Sequence, residues 1–572
     1  MKASSAIRIL TGACRISPKR TSTRILTMQR QSRNLESRNN FSFLLSPFLF
    51  SQFLLSALFF VSVLPSFAQT NYVTPAQYLQ SQPKPNFAAG HHLPHLSDWS
   101  AQSFSSNTCV EIAKKWGYCL PFDFSDLSIS SITNATGRLY CSLASNNPSV
   151  FKLSVITDRS FPKPIPDGFY CTNSSGVFIT NADSRVISPA GPDGYWMLAT
   201  SNTMFSLSVL QSNAPIAIIL NGGEYGLNVV GAGFAAAWKQ DPRMQAATNG
   251  IVWPGGVIER YGSLRKAHQL GFLTSSVKQA FPNRELYIFY KTDAERVRTT
   301  YPGNPTFWTG PDWGWCSDVM DTNTDLPSFE NYYQGSWTGA YDLLTCQLNC
   351  VGFNLNLGYT NNYSWFSGGW QASTNLNTSL LSDIPTYTGF LKCLYTAGTI
   401  GGVAGYFYVP DVGYGTEFGG PGWDAAFPTN IPPHWLLQIM ALSHVHALFS
   451  HLENVLTNGD LLSGPQAHRY SLDQPAYEFT NTAGYVNDRV LVRKLRGTNF
   501  WLVTAWAADG TNQNVTVSIP TIGALTVSAV SSGSVYQVTM AGTNVQQTLL
   551  DEYASFLPAP PVNFRVISGS TN

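Results

Sequence analysis

The sequence predicts an α/β fold: a (β/α)8 TIM barrel followed by a small antiparallel β-sandwich. Three observations carry this. From about residue 105 to 455, short apolar runs alternate with Gly/Asn/Asp/Trp loops and with helical stretches, the pattern of a parallel sheet with crossover helices. That span of about 350 residues holds about eight strand candidates, which suits an eight-fold barrel. After about residue 475 the texture changes to short alternating strands with Asp509-Gly510 as a hairpin signal, and no helical pattern intervenes.

The elements follow in order. "NTCVEIAKKWG" (107–117) reads as a helix. "GRLYCSLA" (137–144), "YWMLATSN" (195–202) and "APIAIIL" (214–220) read as strands. "SLRKAHQLGFLTSSVKQAF" (263–281) is an amphipathic helix and "ELYIFYK" (285–291) a strand. "YDLLTCQLNCVGFNL" (341–355) and "TYTGFLKCLYTAG" (386–398) are helices, and "GVAGYFYV" (402–409) is a strand. "PHWLLQIMALSHVHALFSHLENVL" (433–456) is one long final helix. The barrel is expected over 105–460 and the sandwich over 475–572. Residues 69–104, rich in Pro, Gln and Asn, are expected to be a linker and first loop.

Residues 1–68 read as a signal peptide with an upstream basic extension. Arg30, Arg33 and Arg38 precede the apolar run Phe41–Ala68, which ends in Ser66-Phe67-Ala68 with small residues at the cleavage positions. Cleavage is expected after Ala68, with a retained anchor as the alternative. The expected location is secreted, periplasmic or at the cell surface, with no stable membrane insertion after cleavage. Of 34 Lys+Arg and 33 Asp+Glu, nine and one respectively lie in this segment, which leaves 25 basic against 32 acidic residues. Eight of the nine cysteines follow it, an even number that permits disulfides in an exported chain.

Composition narrows the ligand class. Charged residues are only 12% of the chain and aromatics 13%, with 15 Trp. This argues against nucleic acid, which would want a basic face. A neutral surface rich in Trp, Tyr, Asn and Gly suits sugars, whose C–H faces stack on aromatic rings. Oligomeric state is not legible.

The stretch "NAPIAIILNGGEYGL" (213–227) carries the main chemical signal. A strand ends in Asn221, two glycines and Glu224, as expected at the C-terminal end of a barrel strand, where such enzymes place their chemistry. A partly buried Glu224 can act as a general acid. Tyr225 adjoins it, and Asn221 offers an amide donor and acceptor. Asn followed closely by Glu at the end of a fourth barrel strand resembles the acid/base signature of retaining glycoside hydrolases of clan A, many of which also end in a β-sandwich. In that clan the pair is usually adjacent, whereas here two glycines separate it. The resemblance implies that Glu224 is the acid/base, that Asn221 orients the substrate, and that a nucleophilic carboxylate stands on the seventh strand.

Glycoside hydrolysis needs two carboxylates. Glu330, in "DLPSFENYYQGSW" beside Tyr332, is the best second candidate, on the sixth or seventh strand. Glu417 follows it, with Asp411 behind. Sugar contacts are expected from Trp308, Trp313 and Trp315 in "FWTGPDWGW", from Trp365 and Trp370 in "WFSGGW", and from His91, His92 and His95 in "GHHLPHLSDW", placed at the end of the first strand. Two other patterns are set aside. Gly231, Gly233 and Ala236 fit a dinucleotide fingerprint but lack its acid after a following strand. His444, His446 and His451 lack the H-E-x-x-H spacing of a metal site. No cofactor or metal is expected.

The expected activity is cleavage of O-glycosidic bonds in a polysaccharide or oligosaccharide by a two-carboxylate, retaining mechanism. The alternative is a non-catalytic carbohydrate-binding or surface protein on a barrel scaffold. A polysaccharide lyase would want a Lys/Arg-lined groove, which the loops lack. Expression from the full reading frame is expected to give an exported product beginning at Gln69. N-terminal sequencing checks this, and a product that retains Phe41–Ala68 means an anchor instead.

Overall fold

The computed structural model describes residues 71–91, 95–97, 107–116, 118–123, 133–156, 165–181, 184–222, 232–250, 257–282, 285–289, 297–301, 304–307, 326–332, 344, 363–368, 384–398, 403–407, 424, 426–430, 432, 434–462, 478–480 and 486–552. Eight strands form one parallel sheet: β1 (His95–Ser97), β2 (Leu120–Asp123), β3 (Leu153–Ile156), β4 (Ile216–Gly222), β5 (Glu285–Phe289), β6 (Leu326–Tyr332), β7 (Tyr363–Gly368) and β8 (Val403–Phe407). Their order is β1-β8-β7-β6-β5-β4-β3-β2, so the first strand pairs with the last. β1 and β2, at the two ends of this order, approach within 8 Å.

Helices fill the crossovers. They are α1 (Pro75–Ser81) ahead of β1, then α2 (Asn107–Trp116), α3 (Ala135–Asn146), α4 (Gly194–Asn213), α5 (Ala232–Gln240), α6 (Pro242–Thr248), α7 (Val257–Ala280), α8 (Ile384–Ala397), α9 (His434–Ser450) and α10 (Glu453–Asn458). α1 starts with a reciprocal box: Thr74 accepts from the Gln77 backbone while the Gln77 side chain accepts from the Thr74 N–H.

Several elements differ from the sequence reading. Residues 137–144 lie inside helix α3, not a strand. Asn134 caps it by accepting from Gly137 N at 2.7 Å, and the buried Tyr140, Cys141 and Ala144 repeat at helical, not strand, spacing. Residues 195–202 lie in helix α4. Its buried side (Trp196, Thr203, Leu207, Leu210) follows the helical period, but the exposed Met197 and Leu198 break the apolar pattern. The expected final helix is two, α9 and α10. The segment 69–104 holds α1 and β1 and is not merely a linker. The expected helix over 341–355, apart from the helical Leu344, lies outside the described residues.

The C-terminal sheet begins earlier than 475. β9 (Gly459–Leu461) already pairs with β11 (Val486–Leu495), as does β10 (Glu478–Thr480). β12 (Phe500–Ala507), β15 (Ser534–Ala541) and β16 (Asn544–Asp551) extend this antiparallel sheet. β13 (Gln513–Ile519) and β14 (Gly523–Ala529) form a second one. The two sheets share a core of Val490, Val492, Trp501, Val503, Val515, Val517, Leu525, Val527 and Val538. The other face of the larger sheet is buried too: Leu491, Leu502, Trp506 and Val535 pack with α8. Burial on both faces explains why β12 is continuously buried rather than alternating.

Helix α8 is held by buried polar groups. Arg493, fully buried, donates to five carbonyls: Thr396, Ala397 and Gly398 at the end of α8 (3.0, 3.0 and 2.7 Å), and Leu456 and Gly459 at the end of α10 (2.9 and 3.0 Å). These carbonyls belong to helix C-termini, which lack intrahelical partners and favour a cation. Burial pushes the Arg493 pKa down to about 10, which leaves the guanidinium charged at neutral pH. Lys392, also buried, donates to Gly533 O (2.7 Å) and pairs with Asp551. Gly389 takes the Trp506 ring edge-on: a Cβ there would stand 2.2 Å from Trp506 Cδ1.

Arg493→Met is expected to cost at least about 3 kcal/mol, because it strands several buried carbonyls at once. Arg493→Lys is expected to recover little, since three donors on one point cannot reach both helix ends. Urea unfolding of the chain from Gln69 measures this, and a loss below about 1 kcal/mol would refute it. A second expectation concerns Asp551. Burial opposes its ionisation, but the neighbouring His444 (3.2 Å) and Lys392 outweigh burial and hold the carboxyl below its ordinary range. A depressed folded-state pKa adds stability that is complete above the unfolded value of about 4 and fades as the pH falls below it. The stability gap between the native chain and Asp551→Asn is therefore expected to be widest at neutral pH and to close on acidification. A gap independent of pH would refute the pairing.

Candidate functional site

The two faces of the parallel sheet are distinguished by burial and register. Leu120, Phe122, Leu153, Val155 and Ile219 are buried in one core with Ile112 and Trp116 of α2, Tyr140 of α3, Leu207 of α4 and Leu273 of α7. That face meets the helices. Register extends it across the sheet, because successive residues of a strand alternate faces and paired residues of parallel strands share one. Phe122 pairs with Val155, Val155 with Ile219, and Ile219 with Leu286. Two residues on from Leu286, Ile288 pairs with Pro327. On β6, positions 327, 329 and 331 therefore belong to the helix face, and 326, 328, 330 and 332 to the opposite one.

The opposite face gathers chemistry-bearing residue types. Glu330 pairs with Trp365, Trp365 with Ala404, and Ala404 with His95. One step further along the strands, Tyr332 pairs with Ser367, Ser367 with Tyr406, and Tyr406 with Ser97. The helix face of the same strands reads Pro327, Phe329 and Asn331, then Ser364, Phe366 and Gly368, then Val403, Gly405 and Phe407, and Leu96, with no charged residue among them. A carboxylate, an indole and two phenols thus fall on the non-helical face toward the C-terminal ends of the strands.

The expected site residues divide accordingly. Glu330, Tyr332 and Trp365 share this face. Glu330 stands on the sixth strand, not the seventh as the clan A resemblance implies. The strand segment Asn304–Phe307 forms a hairpin with Val297–Tyr301 outside the parallel sheet and does not advance the count. The seventh strand, "YSWFSG", carries no carboxylate. Asn221 is on the fourth strand but pairs with Ile288, in the helix-face alternation of Ile219, so the register does not set it beside Glu330. The histidines also fall elsewhere than expected. His95 is the first residue of β1, so His91 and His92 precede the strand and do not follow it. His91 stacks on Phe87 (4.7 Å between ring centroids) and meets His446 edge-on. His92, Glu224, Tyr225, Trp308, Trp313, Trp315, Trp370, Asp411 and Glu417 lie outside the described residues.

The helical histidines have structural partners. His446 Nδ1 is 2.6 Å from the Tyr395 hydroxyl, both buried, and His451 Nε2 donates to Asn86 O at 2.9 Å. Gly233 and Ala236 of the dinucleotide-like pattern lie within α5. Cys141 and Cys171 are buried thiols not joined in disulfides, and burial pushes Cys171 up to about 12, far from thiolate chemistry. Among the described residues, no group of three or more His, Cys, Asp or Glu is placed to hold a metal ion. Sequence reasoning passed over Asp123 and Tyr406. Both end or nearly end a parallel strand, a signal visible only once the strands are delimited.

No protein-family model matches the chain, and no curated protein matches it either. Solved structures similar to it include a GH36 α-galactosidase from Geobacillus stearothermophilus (11% identity, 79% of this chain and 54% of that one, TM-score 0.39). A maltogenic α-amylase from Thermotoga neapolitana is 10% identical over 80% of this chain and 99% of that one, with a TM-score of 0.41. A β-galactosidase from the psychrophilic Marinomonas ef1 is 11% identical over 63% and 60%, with a TM-score of 0.40. The chain spans about half the length of the α-galactosidase structures it matches. At these identities and TM-scores the likenesses fix neither family nor substrate.

Proposed function

We propose that the parallel sheet closes into a (β/α)8 barrel and that the protein is an exported glycoside hydrolase acting on an oligosaccharide or polysaccharide. The observation that carries this reading is the register of β6. It puts Glu330 on the face away from the helices, toward the C-terminal strand end and paired with Trp365. In a barrel that face is the interior, and that end is where catalytic residues gather. Glu224 follows the fourth strand by two residues and supplies the second carboxylate. The strand order, with β1 beside β8, supports closure.

The chemistry needs no cofactor. Protonated Glu224 delivers its proton to the glycosidic oxygen as the bond to the anomeric carbon breaks. Glu330 attacks that carbon to form a glycosyl-enzyme ester, and the leaving sugar departs as an alcohol. A water then gives its proton back to Glu224 and displaces Glu330, with net retention. Trp365 offers an aromatic platform for a sugar ring. Trp313, Trp315, Trp370, Tyr225 and Tyr332 supply further aromatic contacts in this reading. Cleavage after Ala68 on export would leave a chain with 25 basic against 32 acidic residues.

Reducing-end release from a panel of polysaccharides, with the chain from Gln69, tests the reading. Glu224→Gln and Glu330→Gln are each expected to lower kcat/KM by about 10³-fold or more. The anomer first released, read by NMR, is expected to match that of the substrate. An inverted product would reassign Glu330 as the base that activates water. Glycan binding without turnover in the native chain would favour the carbohydrate-binding alternative, and full activity in Glu224→Gln would remove that residue from the site.

A further inference from the structure

The register of the sheet relates strands that are far apart. Leu326, the first residue of β6, pairs with Tyr287; Tyr287 pairs with Leu220, Leu220 with Ile156, and Ile156 with Asp123. This row therefore slides from the last residue of β2 to the first residue of β6 across four strand-to-strand steps. Such a slide is the stagger that closes an eight-stranded barrel, about one residue per strand. At constant height along the barrel axis, the position on β6 level with Asp123 is then four residues beyond Leu326, which is Glu330. The same rule applied from Glu330 toward β8 passes Ala404 and arrives two residues later at Tyr406.

Face and position agree with level. Asp123 occupies the alternation opposite to Phe122, which is buried against the helices, so it shares the face of Glu330. The second and sixth strands of eight stand across the barrel from each other. The row thus places position 123 at the C-terminal rim, level with position 330 and on the strand across from it.

We propose that Asp123 is a substrate-binding residue of this site, which accepts hydrogen bonds from two neighbouring hydroxyls of the sugar held against Glu330. A carboxylate has the acceptor capacity for a vicinal diol, and bonds to an ionised acceptor are the stronger kind. The assignment rests on the glycosidase reading and on barrel closure. It implies selection for a sugar unit with two free adjacent hydroxyls, rather than one esterified or etherified at those positions.

The test uses the chain from Gln69 carrying Glu330→Gln, which keeps substrate intact, with and without Asp123→Asn or Asp123→Ser. Calorimetry measures binding of the best oligosaccharide from the polysaccharide panel, and a thermal midpoint confirms folding; either folded variant suffices. The expected result is a Kd weakened about 10- to 100-fold, together with a raised KM when Asp123→Asn is made in the otherwise native chain. An O-methylated form of the sugar should bind Asp123→Asn and its parent equally. Unchanged Kd and KM in an active, folded variant would overturn the role of Asp123 and leave the glycosidase reading standing. A native chain that neither binds nor cleaves any glycan would overturn both.

Discussion

Five carbonyl oxygens converge on the guanidinium of Arg493, and much of the architecture depends on that convergence. Two helices, α8 and α10, end at the same place, and each exposes C-terminal carbonyls that nothing within the helix can satisfy. In a buried setting each such group would carry a desolvation cost comparable to a lost hydrogen bond. A single side chain from β11 meets them all. Its planar fork carries five N–H donors in fixed directions, one for each carbonyl. The negative ends of two helix dipoles balance the charge. The C-terminal strands are thereby tied to the helix that separates β7 from β8.

The alternating plan of strands and helices was legible because parallel strands buried on their helix face read as dense apolar runs, as in "IAIIL". The helices with caps or long apolar stripes, α2, α7 and α8, were legible as well. Two elements were misread for one reason. In "GRLYCSLA" and "YWMLATSN" the apolar residues are so dense that period 2 and period 3.6 cannot be separated by eye. The structure settles the matter through Asn134, which caps α3, and through Trp196, which is buried while its neighbours Met197 and Leu198 are not. The early start of the C-terminal sheet at Gly459 could not be seen, since three residues carry no periodicity.

The site was legible as residue types and not as placement. Glu330 stood out because a carboxylate among aromatics is unusual in a chain so poor in charge. Its strand number depended on whether 304–307 joins the sheet, which is a matter of long-range pairing that local sequence does not encode. Asn221 was expected to join Glu330 in the site because it ends the apolar run of the fourth strand. Register separates them, since one residue of alternation exchanges the two faces. Asp123 escaped notice because "LPFD" is too short to announce itself as a strand.

The closeness of Trp506 to Gly389 limits how this protein can be rebuilt. With an indole edge where a Cβ would be, α8 and the β-rich region share a wall rather than meet as separate surfaces. Nearly every side chain from Tyr387 to Ala397 is enclosed. A cassette of foreign β-strands joined at residue 459 would leave a helix with apolar, lysine and threonine groups facing water. Removal of the β-strands would do the same. Domain shuffling at this junction is therefore closed to the lineage unless the helix changes with it. Substitutions away from α8 and the strands that face it leave that wall undisturbed.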